Sequence, residues 1–330
     1  MLKGLYILDT VYYDQIYGPD ERRDIAALVE LCGPQQTRDS IRQNLDLLRE
    51  VEVIFSGWGA PVFDAELLAA APKLKAVFYG AGSIRGLVTD AFWERGIIIC
   101  SAWAANAVPV SEYTLSQILF CLKHGWQYAL TIKREGKYPP RTWVPGAYGS
   151  TVGIISLGMV GRRVCQLLRH FDLKVIAYDP YVSAEDAAAL NVELCSLEEI
   201  FGRADVVSLH TPWLKETEGM ITGAHLAAMK PGAAFINTAR GAVVREQEMI
   251  EVLRQRPDLF AVLDVTYPEP PEPGSPLYTL PNVILTPHIA GSMFNECRRQ
   301  GRYMVEELQR FVRGEPLRWS ISRERAAILA

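Results

Sequence analysis

Short apolar runs recur along the chain, separated by stretches whose apolar positions fall three and four residues apart. The first runs, "LKGLYILD", "VEVIFSG" and "LKAVFYGAG", predict strands, and "DAELLAAAP" predicts a helix that Pro72 ends. "GIIICSAWAANAVPVSEYTLSQILFCLKHGWQ" predicts a strand, an irregular segment and a long helix. Pro109 is expected near the start of that helix, where its missing N–H costs no hydrogen bond. A second series follows: "TVGIISLG", "LKVIAYDP", "ADVVSLHTP", "AAFINTARG", "FAVLDVT" and "NVILTPH". These runs are apolar on both faces, as strands are when helices cover both sides of a parallel sheet. The alternation predicts an α/β protein with two doubly wound parallel sheets, and a closing helix over "FNECRRQGRYMVEELQRFVRG".

Length supports two domains: 330 residues exceed what one core holds comfortably. A hydrophobic share of 49% with 22% charged residues describes a globular chain, and a net charge of −4 gives no general attraction for nucleic acid or an anionic membrane. Asp9 interrupts the N-terminal apolar stretch too early for a signal peptide, and there is no apolar run long enough to span a bilayer. Cys32, Cys100, Cys121, Cys165, Cys195 and Cys297 lie far apart without a C-x-x-C pair, so reduced thiols and a cytoplasmic setting are expected, with no metal site. Eight arginines lie between Arg298 and Arg325, interleaved with Glu306, Glu307, Glu315 and Glu324; this mixture predicts a solvated face.

"GIISLGMVG" adds candidate chemistry. A strand, a tight turn and a helix N-terminus suit a dinucleotide pyrophosphate, with Gly158 allowing close approach and Gly161 allowing the helix to sit against the sheet. Ser156 stands where the pattern has its first glycine; it is small enough to be read as a tolerated variant. Asp179 ends the next strand, 18 residues after Gly161, where an acidic side chain accepts from ribose hydroxyls and repels a 2′-phosphate. NAD is therefore expected in preference to NADP.

Three later strand ends are polar: Arg240 in "INTARG", Asp264 and Glu269 in "LDVTYPEP", and His288 in "LTPHIAGS". Reduction of a 2-oxo acid needs a cation for the carboxylate, a proton donor for the nascent alkoxide and a partner for that donor. Arginine, histidine and glutamate suit those tasks. In these residues, and over about 103–295, the chain resembles the D-isomer-specific 2-hydroxyacid dehydrogenase family; the long stretches from His210 to Gly241 and from Leu263 to Ser292 carry the likeness.

The resemblance implies two Rossmann-like domains with an active-site cleft between them. A discontinuous substrate domain, 1–102 with 295–330, would surround an NAD-binding domain, 103–294. It also implies roles: Arg240 binds substrate, His288 is the acid/base, Glu269 is its partner and Asp264 meets the nicotinamide end. Cofactor contacts would come from Ser156, Gly158, Met159, Val160, Gly161, Asp179, His210, Thr211, Pro212, Thr217, Thr238, Ala239, Asp264 and Gly291. Backbone N–H groups of Gly80, Ala81 and Gly82 would hold the substrate carboxylate, with Trp58 and Asn106 nearby. The expected partners are a small 2-oxo or 2-hydroxy acid and a second copy of the chain, in a homodimer.

The substrate loop "YGAGSIRG" departs from the family after its glycines, with Ser83 and Ile84 where many relatives have valine and aspartate. Arg85 either adds a second cation or points to solvent, the reading preferred here. Trp58 and Trp103 either wall an apolar pocket or pack the core. Two other functions share the scaffold and stay open: an NAD-sensing co-repressor-like binding protein and a phosphite-type dehydrogenase.

Overall fold

A computed structural model describes residues 1–327. The chain forms two compact units, Met1–Asn106 with the segment from Ser292 onward, and Ala107–Gly291. The expected crossings at 102–103 and 294–295 lie a few residues away, because Trp103–Asn106 and Ser292–Phe294 pack with the first unit.

The first unit is a five-stranded parallel sheet in the order β2-β1-β3-β4-β5, with β1 Leu2–Ile7, β2 Val29–Leu31, β3 Val53–Ser56, β4 Ala76–Tyr79 and β5 Ile98–Ser101. Its strands are buried nearly throughout, and Phe55 of β3 stacks on Phe78 of β4 with centroids 5.5 Å apart. The Tyr17 hydroxyl lies 2.8 Å from the Ser56 carbonyl and 3.0 Å from that of Phe78, which ties the ends of those strands. The helix Cys297–Arg313 covers one face. Gly301 lets it approach, since a Cβ there would fall 1.9 Å from the Ile16 carbonyl oxygen.

Two expectations need correction. Pro109 lies inside the helix Trp103–Leu122, which starts earlier than expected and absorbs the segment "WAANAV" read as irregular. Proline there leaves an interior carbonyl without its N–H partner. The C-terminal charges form a partly solvated face, where Arg302 pairs with Glu21 at 3.0 Å and with Asp24 at 2.6 Å. Glu307 is not on it: it is fully buried and accepts from the N–H groups of Arg318 and Trp319 at 3.2 and 3.0 Å. Helical spacing puts Glu307 on the apolar face, and these donors replace the water it loses there.

The second unit is a seven-stranded parallel sheet in the order β12-β11-β10-β9-β6-β7-β8. Its strands are β6 Thr151–Ile155, β7 Lys174–Tyr178, β8 Glu193–Leu194, β9 Val206–Leu209, β10 Ala234–Asn237, β11 Phe260–Leu263 and β12 Val283–Leu285. From β6 the chain builds outward one way through β7 and β8, then returns to build the other way from β9. The order therefore reverses between β6 and β9, and ligands bind at the carboxyl ends of strands beside such a reversal. The edge strands β2 and β8 were not expected; three and two residues are too short to show a period.

Candidate active site

All the polar strand ends of the second series reach one edge of the seven-stranded sheet. Ser156 follows β6, and the helix Met159–Leu168 follows the turn with Gly158 as its N-cap. Ser156 takes the left-handed conformation, φ 76°, that a first glycine would take without strain. Its hydroxyl lies 2.8 Å from that of Thr211, which follows β9, so this bond bridges the point where the strand order reverses. A Cβ on Gly161 would lie 2.1 Å from the Ser156 carbonyl oxygen, whereas one on Gly158 would meet nothing within 4 Å. Helix–strand closeness thus makes Gly161 obligatory, while the space beside Gly158 is open to a ligand.

Asp179, just past β7, accepts from the Leu157 N–H at 2.7 Å and from the Tyr181 N–H at 2.8 Å. It braces the turn, a task its position in the sequence did not reveal. These residues fit a dinucleotide. The open surface at Gly158 adjoins a helix N-terminus with no acidic residue in its first turn, and Asp179 has acceptor capacity left. His210 keeps part of its residue surface exposed, but its ring is enclosed and burial pushes the imidazole down to about 3. The ring is therefore neutral, with Nε2 3.0 Å from the Ser208 hydroxyl. Thr217 closes the loop after Pro212, donating to the Pro212 carbonyl at 2.6 Å and accepting from the Leu214 N–H at 2.8 Å.

Past β10, Asn237 shapes the turn that presents Arg240. Its amide donates to the Arg240 carbonyl at 3.1 Å, and its side-chain oxygen accepts from the Ala239 N–H at 3.0 Å. Arg240 donates to the Ala239 carbonyl at 2.7 Å. Burial lowers its pKa and the charge of Glu269 opposes that, so the guanidinium remains a cation with donors to spare. Thr238 is buried, 3.0 Å from the Thr114 hydroxyl.

His288 and Glu269 meet at 2.6 Å, Nδ1 to Oε1. An ionised carboxylate only accepts, so Nδ1 carries the proton and Nε2 is left to exchange one. Both side chains stay accessible, at 49% and 40%. His288 has a left-handed backbone, φ 53°, uncommon for a residue with a Cβ. Asp264 holds it there: its carbonyl accepts the His288 N–H at 3.0 Å. The Asp264 carboxylate takes the N–H groups of Ile289 and Ala290 at 2.8 and 2.9 Å and the Thr286 hydroxyl at 2.6 Å. Asp264, Glu269, Thr286 and His288 share a recess of about 380 Å³ with Thr266 and Tyr278. Arg240 does not line it.

In the first unit Gly80 is held by packing, since a Cβ would lie 2.6 Å from the Ile16 side chain, while Gly82 faces open space. Ser101 donates to the Ala81 carbonyl at 2.8 Å and is also bonded to the Gly82 carbonyl. Trp58 packs against Tyr12, centroids 5.0 Å apart, and is only partly buried. Trp103 stands edge-on to Trp319 at 6.1 Å. The Asn106 side-chain oxygen accepts the Ser292 N–H at 2.8 Å.

Sequence reasoning missed Tyr113, Thr114 and Thr286. No group of residues suited to a metal occurs among the described residues, nor any helix long and apolar enough to cross a membrane.

Residues 115–290 match the family described as D-isomer specific 2-hydroxyacid dehydrogenase, NAD binding domain. The chain is 35% identical over 249 residues to an (S)-sulfolactate dehydrogenase of Chromohalobacter salexigens, covering 75% of this chain and 80% of that one. It is 32% identical over 260 residues to a D-3-phosphoglycerate dehydrogenase of Archaeoglobus fulgidus, covering 78% of this chain and 49% of the other. It thus spans about half the length of the curated phosphoglycerate dehydrogenases it matches. Among solved structures, D-mandelate dehydrogenase of Rhodotorula graminis aligns with a TM-score of 0.81 at 27% identity, covering 98% of each chain.

Proposed function

Because the chain belongs to the D-isomer specific 2-hydroxyacid dehydrogenase family, we propose that it interconverts a 2-oxo acid and its D-2-hydroxy acid with NAD(H). The observation that carries this reading is the 2.6 Å pair of His288 Nδ1 and Glu269 Oε1, which leaves Nε2 as the nitrogen that exchanges a proton. In reduction, Nε2 protonates the oxygen on C2; in oxidation it takes that proton back. Glu269 keeps the ring in one tautomer. Arg240 holds the substrate carboxylate.

The turn Ser156–Gly161, Asp179 and the strand ends at His210–Pro212 and Thr238–Ala239 would hold NAD(H), which would supply or accept the hydride at C2. The open surface at Gly158 and the acidic Asp179 support NAD over NADP. The names of the relatives support a small 2-hydroxy acid as substrate. The reading includes a homodimer acting in the cytoplasm, which six free thiols suit.

The test is NADH oxidation followed by absorbance with glyoxylate, hydroxypyruvate, pyruvate, phenylpyruvate and oxaloacetate, repeated with NADPH. Turnover of at least one acid, preferring NADH, is expected. Binding of NADH without turnover of any would favour a sensing role.

A further inference from the structure

Two hydroxyls outside the catalytic pair, those of Tyr113 and Thr286, lead to the carboxylate of Asp264, whose carbonyl accepts the His288 N–H. Asp264 is only 2% exposed, and its carboxylate has three protein donors: the Thr286 hydroxyl and the N–H groups of Ile289 and Ala290. One of the three is a side chain that can be removed without touching the backbone. The Thr286 oxygen also lies 3.0 Å from the Tyr113 hydroxyl. Proton bookkeeping settles the direction of both bonds. A carboxylate has no proton to give, so Thr286 donates its only one to Asp264. Thr286 then has lone pairs alone to offer Tyr113, so Tyr113 is the donor. Burial raises the pKa of the Tyr113 phenol, which keeps that proton in place.

We propose that Tyr113 and Thr286 are positioning residues for the reaction. They form a one-way relay, Tyr113 to Thr286 to Asp264, that keeps the buried carboxylate turned toward the backbone of Ile289 and Ala290 and so fixes the ring of His288. The relay rests on the reading of His288 as the proton-transfer group. Its physical basis is the left-handed backbone of His288, which needs such a restraint: loop residues on either side of the histidine, Thr286 and Ile289, converge on the same carboxylate oxygen, Oδ1. Without the Thr286 hydroxyl, Asp264 loses the donor that orients it, and the ring gains freedom relative to Glu269. Small losses of position at a reacting group are costly in rate, whereas the turn Ser156–Gly161 and Asp179, which would hold the rest of the cofactor, are untouched.

The experiment compares Thr286→Val, Thr286→Ser and Tyr113→Phe with the wild-type full chain. It measures kcat and KM for the best 2-oxo acid, the NADH Kd by fluorescence, and amide hydrogen exchange of the segment 286–291. Thr286→Val is expected to lower kcat about 10- to 100-fold, with KM and the NADH Kd changed by less than about threefold. Thr286→Ser, which keeps the hydroxyl, should return kcat to within about threefold of wild type, and Tyr113→Phe should lower it about three- to tenfold. Exchange at Ile289 and Ala290 should quicken about tenfold in Thr286→Val and stay unchanged in Thr286→Ser.

Unchanged kcat in both Thr286→Val and Tyr113→Phe overturns the proposal, as does an equal loss in Thr286→Ser and Thr286→Val. Should Thr286→Val fail to fold, Tyr113→Phe decides by its kcat and exchange. If the wild type binds NADH but reduces no 2-oxo acid, the functional reading falls, and exchange alone judges the relay: unchanged protection of Ile289 and Ala290 in the variants overturns it as well.

Discussion

The two units are built on the same plan, a parallel sheet with helices on its faces, yet their strand ends differ in chemistry. In the seven-stranded unit nearly every strand ends in a residue that titrates or exchanges protons: Asp179 after β7, His210 after β9, Arg240 after β10, Asp264 after β11 and His288 after β12. In the five-stranded unit the ends of β3 and β4 carry Trp58, which packs against Tyr12, Gly80, which is held by packing, and Gly82, which faces open space. Sheet architecture therefore says little about chemistry. What differs is whether fixed donors serve carboxylates at the strand ends, as they do around Asp264 and Asp179; in the five-stranded unit such donors serve Glu307, on a covering helix.

The comparison breaks most sharply at His288. Replacing it with Asn should lower the reductase rate about 10²- to 10⁴-fold while NADH still binds, measured by steady-state kinetics and fluorescence titration. A variant with wild-type turnover would remove the chemical distinction between the units.

A glycine substituted in each unit sharpens the contrast. Gly161→Ala forces a Cβ to 2.1 Å from the Ser156 carbonyl and should cost about 1–3 kcal/mol in denaturant unfolding, with weaker NADH binding. Gly82→Ala meets nothing within 4 Å and should stay within about 0.5 kcal/mol of wild type. Equal effects would mean that the turn before the helix Met159–Leu168 tolerates more movement than its packing implies.

Stability against pH gives a smaller signal specific to the second unit. Burial lowers the His210 pKa from 6.5 to about 3. Between those values the unfolded chain binds a proton that the folded chain refuses, so stability is intact above 6.5 and falls as pH drops toward 3. The slope approaches roughly 1.4 kcal/mol per pH unit at most, and the partial exposure of the residue reduces it. His210→Gln should flatten the fall of Tm between pH 7 and pH 5; an unaltered profile would assign the acid sensitivity elsewhere.

The smallest effect is expected at Ser156→Gly. Glycine relieves the left-handed strain at φ 76°, worth about 1 kcal/mol, but loses the hydroxyl contact to Thr211, worth about as much. Stability and NADH affinity should both stay near wild type. A variant that gained cofactor binding from none would show the serine to be damaging.

Much of this was legible in the residues. The six apolar runs of the second series became β6, β7 and β9 to β12, because strands buried on both faces leave little choice of composition. Arg240, Glu269 and His288 stood out for their chemistry at strand ends. Pro109 and Glu307 were misjudged for a shared reason: local rules place proline at a helix start and glutamate in water, and packing overrode both.

The sequence by itself determined the class of fold, the dinucleotide turn and the family, since these depend on periodicity and on residue types at set spacings. Tertiary structure alone decided which partners those residues meet. Ser156 is tied to Thr211, 55 positions on, and Asp264 is reached from Tyr113 through Thr286, 173 positions from that tyrosine. Such bonds join strand ends and a helix that only the folded sheet brings together, and no local pattern records them because each partner satisfies its own segment's rules without the other.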